Sequence, residues 1–348
     1  MSFGTALPAC LTVFAALSSF FHYVSAYPNP EPCNGNCSGV HDPTLIRRTS
    51  DGTWFRLSTN GNIAIASAPD ITGPWTYDGA MLPDGSIIDL PIDNPGIWAP
   101  DVHLIEETYF AYYSVSTSGS QTSDIGVATS GNLEVDSWTD HGSIGIANNS
   151  VYNRIDPNWF QESDSSPVYF AFGSSWSGTF ETELDPSSPL EVSPNAAGPE
   201  NLVYNSTIPP GKVEPAIVEG GYLFWRVVDG VKYYFMFFSS GKCCNPANDL
   251  AAAGDEYKIM VCRSDSPAGP FVDQDGKDCL TENGGTLVLG SHGEVYAPGG
   301  QGVYNHASLR RPVLYYHYVN TSIGYDFEQF QFGFNHLDFS STWPVVVV

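Results

Sequence analysis

Trp54-Phe55-Arg56-Leu57-Ser58, then Ile63-Ala64-Ile65-Ala66-Ser67, then Gly73-Pro74-Trp75, form an order that returns later in the chain. It reappears as Tyr233-Tyr234-Phe235-Met236-Phe237-Phe238-Ser239, then Tyr257-Lys258-Ile259-Met260-Val261-Cys262-Arg263-Ser264, then Gly269-Pro270-Phe271. Aromatic and β-branched runs bounded by Gly and Pro are strands joined by turns. Shorter copies read Tyr109-Phe110-Ala111-Tyr112-Tyr113-Ser114 with Ile125-Gly126-Val127-Ala128-Thr129-Ser130 and Trp138. Val168-Tyr169-Phe170-Ala171-Phe172-Gly173 is another, and Val313-Leu314-Tyr315-Tyr316-His317-Tyr318 with Phe330-Gln331-Phe332-Gly333-Phe334 is the last. Five copies spaced by roughly fifty to eighty residues predict an all-β chain, a five-bladed β-propeller with four-stranded blades. A two-sheet sandwich also carries many aromatic strands. The shared strand, strand, Gly-Pro-aromatic order of the first and fourth copies favours the propeller. Neither a linker nor a low-complexity stretch divides residues 27–348, which read as one domain.

Three acidic residues stand ahead of such strands. They are Asp42 in His41-Asp42-Pro43-Thr44, Asp156 in Asn153-Arg154-Ile155-Asp156-Pro157, and Glu219 in Val218-Glu219-Gly220-Gly221. Asp before Pro is an ordinary turn element, and Asp185-Pro186 has no functional context. Position distinguishes the other two, because the strand entry of a propeller blade faces the central channel. Carboxyl groups gathered on one axis are the working parts of a glycoside hydrolase. Glu219 lies between the apolar stretch 213–218 and Tyr222-Leu223-Phe224, a setting expected to raise its pKa as a general acid requires. Glu214 is a rival for that role which spacing alone does not separate.

Composition bounds the compartment. Residues 1–26 lack Asp, Glu, Lys and Arg and carry an apolar run at 11–17, then Val24-Ser25-Ala26 before Tyr27-Pro28. This reads as a signal peptide of residues 1–26, cut after Ala26, although the basic n-region is missing. The remaining chain keeps the whole formal charge of −25, which disfavours nucleic acid and anionic membranes as partners. Cys33, Cys37, Cys243, Cys244, Cys262 and Cys279 remain after the leader, an even number that suits disulfides, with the pairing left open. Asn36, Asn148, Asn205 and Asn320 sit in N-x-S/T sequons, which fits secretion. A secreted, extracellular monomer is expected.

The residues resemble the five-bladed propeller glycoside hydrolases of family 43, and within it the endo-acting arabinanases. The likeness spans nearly all of the mature chain. It rests on His41-Asp42-Pro43, Trp98-Ala99-Pro100-Asp101, Tyr112-Tyr113-Ser114-Val115-Ser116, Asn153-x-Ile155-Asp156-Pro157 and Gly173-Ser174-Ser175-Trp176-Ser177-Gly178. Glu219-Gly220, Phe238-Ser239-Ser240-Gly241-x-Cys243-Cys244, Gly299-Gly300-Gln301-Gly302 and Tyr315-Tyr316-His317-Tyr318 complete it. The Gly-Ser-x-Trp-Ser-Gly and Cys-Cys segments are the parts that point to arabinanases. Two departures are Arg154 in place of the more usual Ala and a longer segment between Glu219 and Tyr233.

The resemblance implies endo-hydrolysis of α-1,5-L-arabinan, a polysaccharide, by an inverting mechanism. Asp42 matches the general base, Glu219 the general acid, and Asp156 the third carboxylate that orients the acid and tunes its pKa. Glu219 is preferred to Glu214 on the match of Glu-Gly-Gly-Tyr-Leu-Phe. Trp98 matches an aromatic that stacks on a sugar, the alternative being a blade-core tryptophan. Asn153, Ser175 and Trp176 are the other expected substrate-binding residues. His317 matches a histidine beside a hydrated metal ion, usually calcium, the alternative being a packing role. Asp101 is expected to hold a turn through Asx-type hydrogen bonds. An organic cofactor is not implied. The competing readings are an exo-acting β-xylosidase or α-L-arabinofuranosidase of the same family, a retaining fructosidase-like propeller, and a non-catalytic carbohydrate-binding propeller.

Overall fold

The computed structural model describes Met1 and residues 27–207, 217–244, 246–306 and 309–348. The predicted leader and Glu214 lie outside the described residues. The strands fall into five antiparallel sheets, each built from one continuous stretch of chain. The first holds β1 (Thr44–Arg47), β2 (Trp54–Ser58), β3 (Ala64–Ala68) and β4 (Thr76–Ala80); the second β5 (Gly96–Ile105), β6 (Thr108–Ser116), β7 (Asp124–Ser130) and β8 (Thr139–Ser143). The third holds β9 (Asn158–Gln161), β10 (Val168–Phe172), β11 (Thr179–Asp185) and β12 (Ser188–Val192), with β13 (Glu200–Val203) added on β11. The fourth has β14 (Val218–Val228), β15 (Val231–Ser240), β16 (Lys258–Ser264) and β17 (Thr286–Leu289). The fifth has β18 (Val295–Tyr304), β19 (Val313–Asn320), β20 (Gln331–Asp338) and β21 (Val345–Val347). First strands touch one another in a closed ring, β1 to β5 to β9 to β14 to β18 and back to β1. The chain is a five-bladed β-propeller.

Packing explains which strands the sequence betrays. Each of five apolar cores lies between two adjacent blades; one joins Phe55, Leu57 and Ile65 to Tyr109, Ala111 and Tyr113. The next joins Tyr112, Ile125 and Val127 to Phe170 and Phe172. Neighbouring residues of β6 therefore enter different cores, Tyr113 toward one blade and Tyr112 toward the other. A strand covered on both faces loses the apolar–polar alternation and becomes a continuous apolar run. The aromatic copies are these second and third strands. The innermost strands were not visible in that pattern, because they carry the Pro, Gly and polar residues of the axis.

The ring closes without a shared sheet. Residues 27–40 form a strap over the seam between the fifth and first blades. On one side Asn34 N donates to Thr72 O at 2.9 Å and Asn36 N to Trp75 O at 2.8 Å. On the other, Glu31 N donates to Phe334 O at 2.9 Å and Phe332 N to Cys37 O at 2.9 Å. Cys33 and Cys37 are disulfide-bonded within the strap. The remaining pairs are Cys243–Cys244 and Cys262–Cys279.

Candidate active site

The blades present equivalent backbone at the axis. Asp42, Ala99, Asp156 and Ala297 each have positive φ (42°, 47°, 58° and 52°). Each is followed by proline, at 43, 100, 157 and 298. An L-residue pays to hold this conformation, so something must fix it. Around the ring, an N–H from each blade's entry donates to a side chain of the blade before. Asp42 N donates to His317 Nδ1 at 3.0 Å, Ala99 N to Thr59 Oγ1 at 2.7 Å, and Asp156 N to Ser114 Oγ at 2.9 Å. Gly220 N donates to Asp156 Oδ2 at 3.2 Å, and Gly300 N to Ser239 Oγ at 3.0 Å. Gly220, with φ 60°, sits in the bulge that interrupts β14 between Glu219 and Tyr222. That bulge lets Glu219 pair with Ser174 of the third blade in an isolated bridge.

Asp42, Asp156 and Glu219 line one open cavity of about 470 Å³. Trp98, Asn153, Ser175 and Trp176 line it too, so seven of the eight sequence-derived site residues share one wall system. The eighth, His317, is fully buried directly behind Asp42. A second, smaller cavity of about 50 Å³, lined by residues of all five blade entries, shares Asp42 and Asp156 with the first.

The three carboxyl groups have different environments. Burial pushes Asp42 up, but the charge of and hydrogen bond from His41, the His317 ring and the Thr59 hydroxyl outweigh it and hold the group down at about 2. His41 Nδ1 lies 2.8 Å from Asp42 Oδ2, and Thr59 Oγ1 donates to the same oxygen at 3.1 Å. Glu219 is pushed upward by burial foremost, with Asp42's charge adding to it, against hydrogen bonds from Ser174 and Tyr257. Those donors reach Oε2 at 2.5 Å and Oε1 at 2.6 Å. Asp156 is raised well above the usual carboxylate range by burial, then by the charges of Glu219 and Asp42, with the Gly220 amide opposing. One carboxyl held ionised and two pushed toward their protonated forms, all lining one cavity, make an acid–base arrangement. It can activate water on one side and protonate a leaving oxygen on the other.

The remaining residues fall into place one at a time. Trp98 is half-buried at the cavity wall, not enclosed in a blade core. Asn153 is buried, and its Oδ1 accepts from Ser123 Oγ at 2.6 Å. Asp101 does not make an Asx turn: it is buried on β5, where Oδ2 accepts from Trp159 N at 2.7 Å and contacts His103 Nε2 at 2.7 Å. It ties the second blade to the third, because a buried carboxylate needs donors and the neighbouring strand supplies them. Arg154 points away from the cavity into an ion pair with Asp124 at 3.1 Å. Sequence reasoning missed Thr59, Ser174 and Tyr257 as carboxylate partners and Phe327 as a cavity residue. Ser174 stood inside a quoted motif, but a lone Tyr or Thr at a strand end carries no signal of its own.

His41, Cys243 and His317 offer ligand atoms within 4.8 Å of one another. Cys243 is bonded to Cys244 and has no thiolate to give. His317 is held neutral, its pKa well below the ordinary value through burial and through His41, against Asp42. Its Nδ1 accepts from Asp42 N, and its Nε2 is buried with no hydrogen-bond partner among the described residues.

Known proteins share this architecture. The profile of the glycosyl hydrolases family 43 matches residues 37–343. Arabinan endo-1,5-alpha-L-arabinosidase A of Aspergillus niger is 50% identical over 325 residues, covering 93% of this chain and 95% of that one. The enzyme of the same name from Aspergillus aculeatus is 50% identical over 322 residues, covering 92% and 94%. Among solved structures, the GH43 endo-arabinanase of Bacillus licheniformis superposes with a TM-score of 0.72 at 26% identity, covering 90% of this chain and 99% of that one. The chain belongs to the glycosyl hydrolases family 43.

Proposed function

We propose that this chain hydrolyses α-1,5-linked arabinan internally, by a single displacement with inversion at the anomeric carbon. The observation that carries the reading is the sharing of one cavity by Asp42, held ionised, and Glu219, pushed toward its protonated form. The identity of about half the residues with Aspergillus arabinan endo-1,5-alpha-L-arabinosidases supports the substrate and the endo mode.

In this mechanism Asp42 takes a proton from water as the water attacks, and Glu219 delivers a proton to the departing sugar oxygen. Thr59 and His41 hold the base, and Ser174 and Tyr257 hold the acid. Asp156 acts as a positioning residue, gripping the Gly220 amide next to Glu219. Trp98 and Trp176 stack on sugar rings, with Asn153 and Ser175 lending polar contacts. Ca²⁺ takes six to eight oxygen ligands, and the described residues here give it no oxygen cage. With Nδ1 accepting, the neutral His317 ring carries its proton on Nε2 and offers a cation no lone pair, so a calcium nearby would be held by water alone. A cation held that way would add positive charge beside Asp42. The enzyme works outside the cell as a monomer that begins near Tyr27 after loss of residues 1–26, in keeping with three disulfides and the sequons.

Debranched arabinan gives the test. Early products run on a sizing or anion-exchange column should be mixed oligomers, and arabinose alone would make the enzyme exo-acting. Proton NMR in the first minutes should show β-configured reducing ends ahead of mutarotation. Initial α ends would require a covalent intermediate, with Asp42 as nucleophile.

A further inference from the structure

The adjacent cysteines of the fourth blade form a disulfide on the wall of the catalytic cavity. Cys244 is exposed there, and its Sγ lies 3.1 Å from His41 Nε2, with Cys243 Sγ at 3.9 Å. The other end of the same imidazole holds Asp42 Oδ2 at 2.8 Å. Its ring faces stack with His317 at 3.9 Å and Phe327 at 5.0 Å between centroids. A path of three contacts therefore runs from the sulfur pair through His41 to the carboxylate that the preceding reading makes the base.

We infer that the Cys243–Cys244 disulfide is a positioning device for Asp42, acting through His41, and that full turnover requires the bond to be closed. The inference rests on the assignment of Asp42 as general base. Stacking holds the faces of the His41 ring but leaves it free to slide in its own plane, and without a fixed contact at Nε2 such a slide carries Nδ1 away from Asp42 Oδ2. Closing adjacent cysteines into one small ring immobilises both sulfurs, so His41 meets a fixed surface at Nε2 rather than two mobile side chains. Reactive geometry is sensitive to displacements of this kind, a misplacement of about 1 Å costing up to about 100-fold.

Opening the bond needs only a dithiol. The dithiol's two sulfurs join as the Cys243–Cys244 bond breaks; its two electrons pass to the cysteines, and each cysteine sulfur ends as a thiol. Cys262 and Cys279 are fully buried, which protects that bond from brief treatment.

The experiment compares the wild type, Cys243→Ser/Cys244→Ser, His41→Gln and the triple variant on debranched arabinan, with Asp42→Asn beside them. The disulfide variant should lose about 10- to 100-fold in kcat with KM changed little, and the triple variant should be no worse than His41→Gln alone. Multiplying losses, an unchanged kcat, or a loss confined to KM would each overturn the inference. Folded wild type supplies a second measurement that does not depend on the variant folding. It is treated with dithiothreitol until peptide mass spectrometry finds Cys243–Cys244 open and the other pairs closed. Its kcat should fall and should return on reoxidation; unchanged activity with the bond open also overturns the inference. Activity surviving in Asp42→Asn would instead remove the base assignment. An inactive Asp42→Asn with a fully active disulfide variant removes only the positioning role.

Discussion

At the residue scale, the site separates its carboxyl groups by their partners. Asp42→Asn and Glu219→Gln should each lower kcat by about 10²–10⁴-fold, because each removes one proton-transfer step. Asp42→Asn should also lower the melting temperature at pH 7, because a folded pKa held down at about 2 favours the folded state above the unfolded value, which calorimetry would check. Asp156 makes a different prediction. Its folded pKa is raised by burial and by Glu219, so ionising it above the unfolded value of about 3.9 costs the folded state. Asp156→Asn removes that cost and still offers an oxygen to the Gly220 amide. The variant should be more stable than the wild type at pH 7, because a tenfold weaker acid in the folded state corresponds to about 1.4 kcal/mol. The gain should vanish below pH ~4, where the group is protonated in both states. Melting curves against pH that show no such convergence would contradict this account. Activity should fall regardless, a stability cost accepted for function.

At the scale of the element, the decisive feature is the irregular entry of each inner strand. Glycine at 220 is required by its φ of 60° and not by crowding, since an added Cβ would meet nothing nearer than 3.8 Å. Gly220→Ala should cost about 1–2 kcal/mol in left-handed strain, read from a denaturant midpoint. If the bulge relaxes to escape that strain, Glu219 moves away from Ser174 and Tyr257, so kcat should fall further than stability does. Gly300 has the same left-handed φ, 57°, and there a side chain would also collide with Asp42 Oδ1 and the His317 ring. The five N–H groups that reach back to the preceding blade explain why motifs far apart in sequence belong together. His317, Thr59, Ser114, Asp156 and Ser239 occupy one structural role in successive blades.

At the scale of the whole molecule, the ring has one seam, and the strap of residues 27–40 covers it. The small loop closed by Cys33–Cys37 stabilises that strap by about 2 kcal/mol in the chain-entropy view. Cys33→Ser/Cys37→Ser should therefore lower stability by that order. Hydrogen exchange should rise first at amides paired across the seam, such as Glu31 and Phe332, with little change at β9 or β10. Uniform loss of protection around the ring would show that the seam is not the weak joint.

The number of blades, the second and third strands of most of them, and three carboxyl groups placed before strands were legible in the chain alone. Those features are local: a strand buried on both faces must be apolar along its length, and a turn residue beside it marks an end. The inner strands and most partners of the carboxyl groups emerged only when distant segments came together; the cysteines pair locally, across 4, 1 and 17 residues, but which of the possible pairs form was fixed by the structure. Tyr257 and Ser174 meet Glu219 from 38 and 45 residues away, and His317 meets Asp42 from 275. Asp42 and Asp156 follow the same local rule of left-handed residue before proline, yet one is held ionised and the other is driven toward its proton. Burial raises both, and their partners divide them: His41, the residue just before it, and His317 of the fifth blade draw Asp42 down, while Glu219 of the fourth blade and Asp42 push Asp156 up; of these only His41 is a neighbour in the sequence, and the closed ring brings the others.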